Sequence, residues 1–312
     1  FKHDGRWPAR KDEYEVLAAS VQSALEDALL HLLRRLRNSS KSRNLCYAGG
    51  VALNSVANER IINEAGFENV YIMPAAEDSG PAIGAAYYGW WQFTRHNSQR
   101  RLLHDSVGRP YSSLCVSTTI NETPGLKTMN SGDIISEAAD LLCDGKIIGW
   151  FDGRSELGPR ALGQRSILCD PRRQDGKAVL NSRVKKREAF RPFAPAVLLE
   201  EAENWFELGN TSSESPFMLR VCKLKADRKD AVPAIVHVDG TGRLQTLTRE
   251  ANGRFYELVK KFYDKTGVPM ILNTSFNTAG QPIVETPADA LACLLDTELD
   301  CCVFEDRIVF KG

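Results

Sequence analysis

Apolar positions change period several times along the chain, and the changes outline its elements. Over residues 13–37, Leu17, Val21, Leu25, Ala28, Leu29, Leu32, Leu33 and Leu36 recur at helical spacing, predicting one long helix closed by Asn38, Ser39 and Ser40. NLCYAGG reads as a short apolar strand running into glycines. Residues 52–65 read as a helix stopped by Gly66, and ENVYIMP as a second strand. Asp78, Ser79 and Gly80 open a further helix that reaches Trp91. Strand, glycine turn, helix, strand and helix in this order predict an α/β layer with a parallel sheet. Periodicity fades over residues 96–132, which are rich in Ser, Thr, Asn, Pro and Gly, and a domain boundary is expected near residue 110. The pattern then resumes with helix 134–143, strand KIIGWF, a Gly- and Arg-rich loop and strand SILC. Helix 176–187, strand 194–199, helix 254–266, strand VPMILN, helix 287–296 and two short terminal strands complete it.

A length of 312 residues exceeds what one core usually serves, so two domains are expected. Lys plus Arg and Asp plus Glu are 40 each, which argues against nucleic acid or an anionic membrane as the partner of the whole chain. With 43% hydrophobic and 26% charged residues, the composition is that of an ordinary soluble globular protein. The longest weakly apolar run, residues 80–91, is too short to span a bilayer, and the polar first residues lack an apolar signal core. The chain begins at Phe1 without methionine, so it is expected to be a fragment or a processed product. Eight scattered cysteines without CxxC or zinc spacing read as reduced thiols of a cytoplasmic protein, a disulfide framework being the alternative.

Five stretches carry candidate chemistry. In AGGVALN, Gly49 and Gly50 lie between a strand and a helix. There they suit close approach to a phosphate at a helix N-terminus, or simply tight strand–helix packing. In EDSGPAIGAA, Asp78 could hold a metal or a ribose hydroxyl, or cap its own helix. Residues 152–191 hold eleven Lys/Arg against five Asp/Glu, with arginines in loops beside Gly158, Pro159, Gly163 and Pro192. Guanidinium forks in rigid loops suit phosphate or carboxylate, with nucleic-acid contact or a plain solvated surface as alternatives. In HVDGTGRLQT, Gly240 and Gly242 are expected to form a turn presenting Arg243. GVPMILNTSFNTAGQPI ends a buried strand in Asn273, Thr274, Ser275 and Asn277, either ligand contacts or a local turn network. Hydrolytic triads, GxSxG and HExxH are absent from the sequence, so the expected chemistry is electrostatic clamping of phosphates.

GRSELGPRALGQRS, VKKREAFRPFAP, HVDGTGRLQT and GVPMILNTSFN, in this order, resemble the C-terminal region of the nodulation- and antibiotic-type O-carbamoyltransferases. AGGVALN and EDSGPAIGAA resemble the end of the domain that precedes it. The resemblance implies an α/β chain with a partial actin/hexokinase-type module over residues 1–110. A YrdC-like domain with a twisted mixed sheet would occupy residues 111–312. It implies that the YrdC-like module makes carbamoyl adenylate from carbamoyl phosphate and ATP with Mg²⁺. The other module would pass the carbamoyl group to a small-molecule hydroxyl, with a transition-metal ion, iron being the candidate.

By this resemblance Arg160, Lys185, Arg191 and Arg243 clamp the phosphates, with Arg165 nearby, and Asn273 and Ser275 contact the same pocket. Arg187 is left without that role. Gly49, Gly50 and Asn54 match a nucleotide-side motif, and Asp78 matches a metal-ligand aspartate. The HxxHxxxA-type histidines of that metal site do not occur here, so metal binding and acceptor transfer are expected to need the portion of the first module that precedes these residues. A homodimer is the oligomer considered, and no membrane partner is expected. The alternative reading is a non-catalytic nucleotide- or RNA-binding module with a YrdC-like fold, which calls for exposed and widely spread basic side chains.

Overall fold

The computed structural model describes residues 9–96, 102–188, 190–209 and 213–312. The first helix, α1 (Lys11–Ser39), places Asp12 and Glu13 in its first turn and Arg37 in its last, each favoured by the helix dipole. It buries only Glu26, Leu30 and Leu33 and leaves Val16, Val21 and Leu32 exposed. Among the described helices, α1 is long and apolar enough by length and composition to cross a membrane, so the run at residues 80–91 is not the most apolar feature. Here its buried side packs on α2 (Ser55–Glu64), where Arg60 reaches Glu26 at 3.0 Å and Asp27 at 3.1 Å. Strands β1 (Asn44–Tyr47) and β2 (Asn69–Ile72) pair in parallel on either side of α2, and α3 (Gly80–Thr94) follows.

The remaining strands form one mixed ten-stranded sheet. In chain order the elements are α4 (Ser113–Glu122), β3 (Leu126–Asn130), α5 (Ile134–Cys143), β4 (Ile148–Phe151), β5 (Arg165–Cys169) and α6 (Gly176–Val179). They continue with β6 (Ala194–Leu198), α7 (Leu199–Trp205), β7 (Phe206–Glu207), β8 (Arg220–Leu224) and β9 (Thr241–Leu247). The last are α8 (Arg249–Thr266), β10 (Met270–Ser275), α9 (Pro287–Asp296), β11 (Cys301–Val303) and β12 (Arg307–Lys311). The spatial order is β3-β12-β11-β4-β5-β10-β6-β9-β8-β7, parallel at β11/β4 and β6/β9 and antiparallel elsewhere. Every residue of β4, β5 and β6 is buried, which explains their unbroken apolar runs. The amphipathic α8 lays Phe255, Leu258, Val259 and Phe262 into the core at helical spacing.

Two local expectations change. The stretch expected to be aperiodic carries α4 and the edge strand β3, which pairs with β12. Helix α4 is rich in Ser, Thr and Val, poor helix formers, and only Val116 and Ile120 are buried, so its pattern was faint. Arg243 does not lie in a turn. The turn is His237–Gly240, closed by the Gly240 amide on the His237 carbonyl, and Arg243 sits within β9.

The small parallel sheet is fastened to the large one. Ala52, Ile72 and Ala76 share a buried cluster with Leu162, Ala194, Phe217, Met218 and Leu219. Asn58 donates to the Leu219 carbonyl at 3.0 Å, and Arg220 pairs with Glu59 at 2.8 Å. Arg220 is almost wholly buried, so removing the carboxylate would take away its close counter-charge. Glu59→Ala is expected to lower the unfolding free energy by about 3 kcal/mol, measured by urea denaturation. A loss below about 0.5 kcal/mol would mean that the contact is dispensable.

Candidate active site

The Gly- and Arg-rich loop between β4 and β5 is pinned residue by residue. Asn273 on β10 donates to the Ala161 carbonyl at 3.1 Å, and Gln245 on β9 to that of Leu162 at 2.8 Å. The Trp150 indole donates to the Gly163 carbonyl at 2.9 Å. Asn273 also donates to Gln245 at 2.8 Å, so β9 and β10 hold the loop as a unit. Gly163 has φ +113°, and a Cβ there would meet the Phe255 ring at 2.2 Å, so only glycine fits.

This scaffold sorts the predicted arginines. Arg165 is fully buried, with its guanidinium 3.6 Å from the centre of the Phe151 ring. It donates to the carbonyls of Asp152, Gly153, Gln164 and Glu285, so its donors are spent on bracing the loop rather than facing a ligand. Arg160 and Arg243 differ. Among the described residues neither guanidinium has a hydrogen-bond or carboxylate partner, and the Nε of each is buried. Burial lowers the pKa of Arg160. Burial, with Arg160 and Arg187 adding like charge, pulls Arg243 down to about 9, still cationic at neutral pH. Arg160 and Arg187 thus both add like charge to Arg243, and Arg160 and Arg243 have no carboxylate partner among the described residues, while Glu188 lies near Arg187; the surplus of positive charge suits an anion.

In this stretch Arg187, not Arg191, is the residue that adds charge to Arg243. The chain leaves α6 through a π-helical turn, Leu180–Lys185, and Lys186 ends it with φ 47°. Arg187 then folds back, donating to Asn181 at 2.8 Å and lying 4.8 Å over the Phe193 ring. Arg191 stands further out, exposed and paired with Glu188 at 3.0 Å. The missed signal was the two-residue step from Lys185 to Arg187, since the π-turn puts both at the same site.

Lys185 is 3% exposed, and its ammonium donates to the carbonyl and hydroxyl of Ser275 and to the carbonyl and side-chain oxygen of Asn277 at 2.6–3.0 Å. Asn277 thus joins Ser275 beside Lys185. Asn273 lies deeper, with its Oδ1 buried and without a hydrogen-bond partner among the described residues.

The glycine motif faces a second space. Gly49, Gly50 and Asp78 line one crevice of about 1030 Å³ with Tyr71, Tyr87, Trp90 and Trp91, beyond the carboxyl ends of β1 and β2. The Gly49 amide donates to the Ala76 carbonyl at 2.8 Å, tying the two loops together, and φ +104° requires glycine. Asp78 is exposed and gives no cap to α3. Asn54 does not line the crevice: it caps α2 through the Ala57 amide and pairs with Gln22. Among the described residues no group of three or more His, Cys, Asp or Glu could hold a metal, and Glu77 is engaged by Ser79. The described residues therefore do not by themselves form a transition-metal site around Asp78. Gly158 packs on Pro74 and Ala75, so the arginine loop borders the strand end leading to Asp78.

Lys185 has an ordinary pKa of 10.5, and burial, with Arg187 adding like charge, lowers it to about 7 in the folded chain. Between those values the unfolded chain holds a proton that the folded chain has shed. Stability from this group should therefore rise with pH across the window, its penalty being felt in full below about pH 7. Relative to Lys185→Met, the wild type should gain on the order of a few kcal/mol between about pH 7 and pH 10 in urea denaturation. A flat difference would show that the oxygen cage keeps the lysine charged.

Comparison with known proteins places these features. The family description "Carbamoyltransferase C-terminus" matches residues 139–311, and "Carbamoyltransferase N-terminus" matches residues 3–87. Nodulation protein NolO of Bradyrhizobium diazoefficiens is 40% identical over 96% of this chain and 55% of its own length. Nodulation protein NolNO of Sinorhizobium fredii is 40% identical over 96% of this chain and 44% of its own. The chain thus spans about half the length of the curated relatives it matches. A solved structure of full-length HypF, in the phosphate- and nucleotide-bound form, overlaps 74% of this chain and 35% of that one at 18% identity, with a TM-score of 0.39. On the match of both halves of the family description, the chain belongs to the carbamoyltransferase family.

Proposed function

We propose that this chain carries the carbamoyl-adenylate-forming half of an O-carbamoyltransferase. Carbamoyl phosphate, ATP and water would give carbamoyl adenylate, pyrophosphate and phosphate. Water releases carbamate and phosphate from carbamoyl phosphate. A carbamate oxygen then attacks the α-phosphorus of ATP, and pyrophosphate leaves. A small-molecule hydroxyl would finally take the carbamoyl group, releasing AMP.

The observation that supports this reading is the pair Arg160 and Arg243, partly buried without a carboxylate partner among the described residues, with Arg187 adding its charge to Arg243. Such a group binds phosphoryl oxygens and offsets charge that builds on them during displacement. Mg²⁺ would enter with ATP and share its phosphate oxygens. Lys185, Ser275 and Asn277 form the adjoining wall, with the lysine already oriented by four oxygens. The RNA-binding alternative calls for exposed basic residues, whereas Arg165 and Lys185 are buried and the Nε atoms of Arg160 and Arg243 are recessed.

Arginine-to-lysine substitutions test the site because they keep charge and remove the bidentate fork. Arg187→Lys is expected to lower pyrophosphate release with ATP and carbamoyl phosphate by about ten- to a hundredfold, the worth of one charge-assisted contact in the transition state. Arg191→Lys should stay within about threefold of wild type, as expected for an exposed ion pair. The reverse order would return Arg191 to the pocket, and absence of carbamoyl adenylate from the wild-type products would overturn the proposed reaction.

A further inference from the structure

Residues 162–165 present four successive backbone amides where Gly163 turns the chain with φ +113° and leads into β5. A side chain serves each of them. Glu156 Oε1 accepts from Leu162 at 2.7 Å, Gln164 at 2.8 Å and Arg165 at 3.3 Å, and the Ser166 hydroxyl accepts from Gly163 at 3.1 Å. The backbone of Glu156 is fixed in turn by the segment joining the two modules. Ser106 bridges to it, the Leu157 amide donates to the Asp105 carbonyl at 2.8 Å, and the Gly108 amide donates to the Ser155 carbonyl at 3.0 Å. Burial pushes the Glu156 carboxyl up, and the three amides pull it back. A buried carboxyl group is thus held by the loop's own amides through Oε1, with Oε2 unpartnered among the described residues, a short distance along the chain from Arg160.

We propose that Glu156 is a positioning residue: by gathering the amides of the arginine loop it fixes the curve that aims Arg160, and so sets anion affinity without touching the anion. This rests on the reading of Arg160, Arg187 and Arg243 as an anion site. Two physical roles for Glu156 predict opposite signs. If the carboxylate acted only through its charge, neutralising it would relieve repulsion and tighten anion binding. If it positions the loop, neutralising it releases the amides, and binding weakens.

The experiment compares wild type, Glu156→Gln and Glu285→Gln. Glu285 lines the same cavity beside Gly158 and Pro159 and carries the same charge, but its carboxylate makes no hydrogen bond to the loop amides among the described residues. Inorganic phosphate is the probe, titrated calorimetrically, and hydrogen exchange is followed in the peptide containing residues 162–165. Glu156→Gln should exchange those amides about tenfold faster and bind phosphate about tenfold more weakly, the cost of one charge-assisted set of hydrogen bonds. Glu285→Gln should leave the exchange unchanged. Equal or tighter phosphate binding by Glu156→Gln, with the amides still protected, overturns the proposal. If Glu156→Gln does not fold, Glu156→Asp keeps the charge one methylene short and gives the same two readouts. Wild-type amides exchanging as fast as those of a free peptide would also overturn it. If wild type binds no phosphate, the anion-site reading falls, while exchange alone still decides whether Glu156 holds the loop.

Discussion

Three like charges brought together in a partly dry site repel one another, and the rest of the structure answers that constraint. Arg160, Arg187 and Arg243 arrive from a loop, a post-helical turn and a strand. Flexible chains would spread them apart. The protein opposes this by hydrogen-bonding the backbone that carries them, so that a relaxed alternative would break those bonds. Asn273, Gln245 and Trp150 take the loop carbonyls, Asn181 holds Arg187, and β9 fixes the backbone of Arg243. On the reading proposed above, an anion would relieve this repulsion and meet groups already held in place.

The division between what could and could not be read from the sequence follows burial. Strands β4, β5, β6 and β10 were visible because both faces are covered over most of their length, leaving short apolar runs such as Ile167–Cys169 and Met270–Leu272. Helices α5 and α9 were visible because they combine strong amphipathic spacing with Asp133 and Thr286 as caps. Elements that depend on partners were not. β3 is an edge strand with no fully buried residue, β7 is two residues long, and β8 pairs with β9 and contacts Glu59, far away in sequence.

The site shows the same division. The basic stretch was conspicuous, but charge alone cannot tell a ligand-facing arginine from a structural one. Arg165 and Arg160 lie five residues apart in one motif, yet the first is consumed by four carbonyls and a phenylalanine ring while the second has its Nε unpartnered. Arg187 and Arg191 were separated in the opposite sense because a π-turn has no sequence signature as plain as a proline. Asp78 and the paired glycines did fall along one crevice, since the ends of adjacent parallel strands must converge.

The cluster joining the small sheet to the large one has a consequence for how the chain could be divided. A cut near residue 110 looks natural on paper, with a sheet on each side. Yet the severed C-terminal piece would turn Leu162, Phe217, Met218 and Leu219 toward water and leave the Arg220 guanidinium without Glu59. Leu162 is itself one of the residues whose carbonyl and amide hold the arginine loop. The smaller module therefore covers apolar surface of the larger one beside the arginine loop, and the larger one is not an autonomous folding unit in the way its continuous sheet suggests.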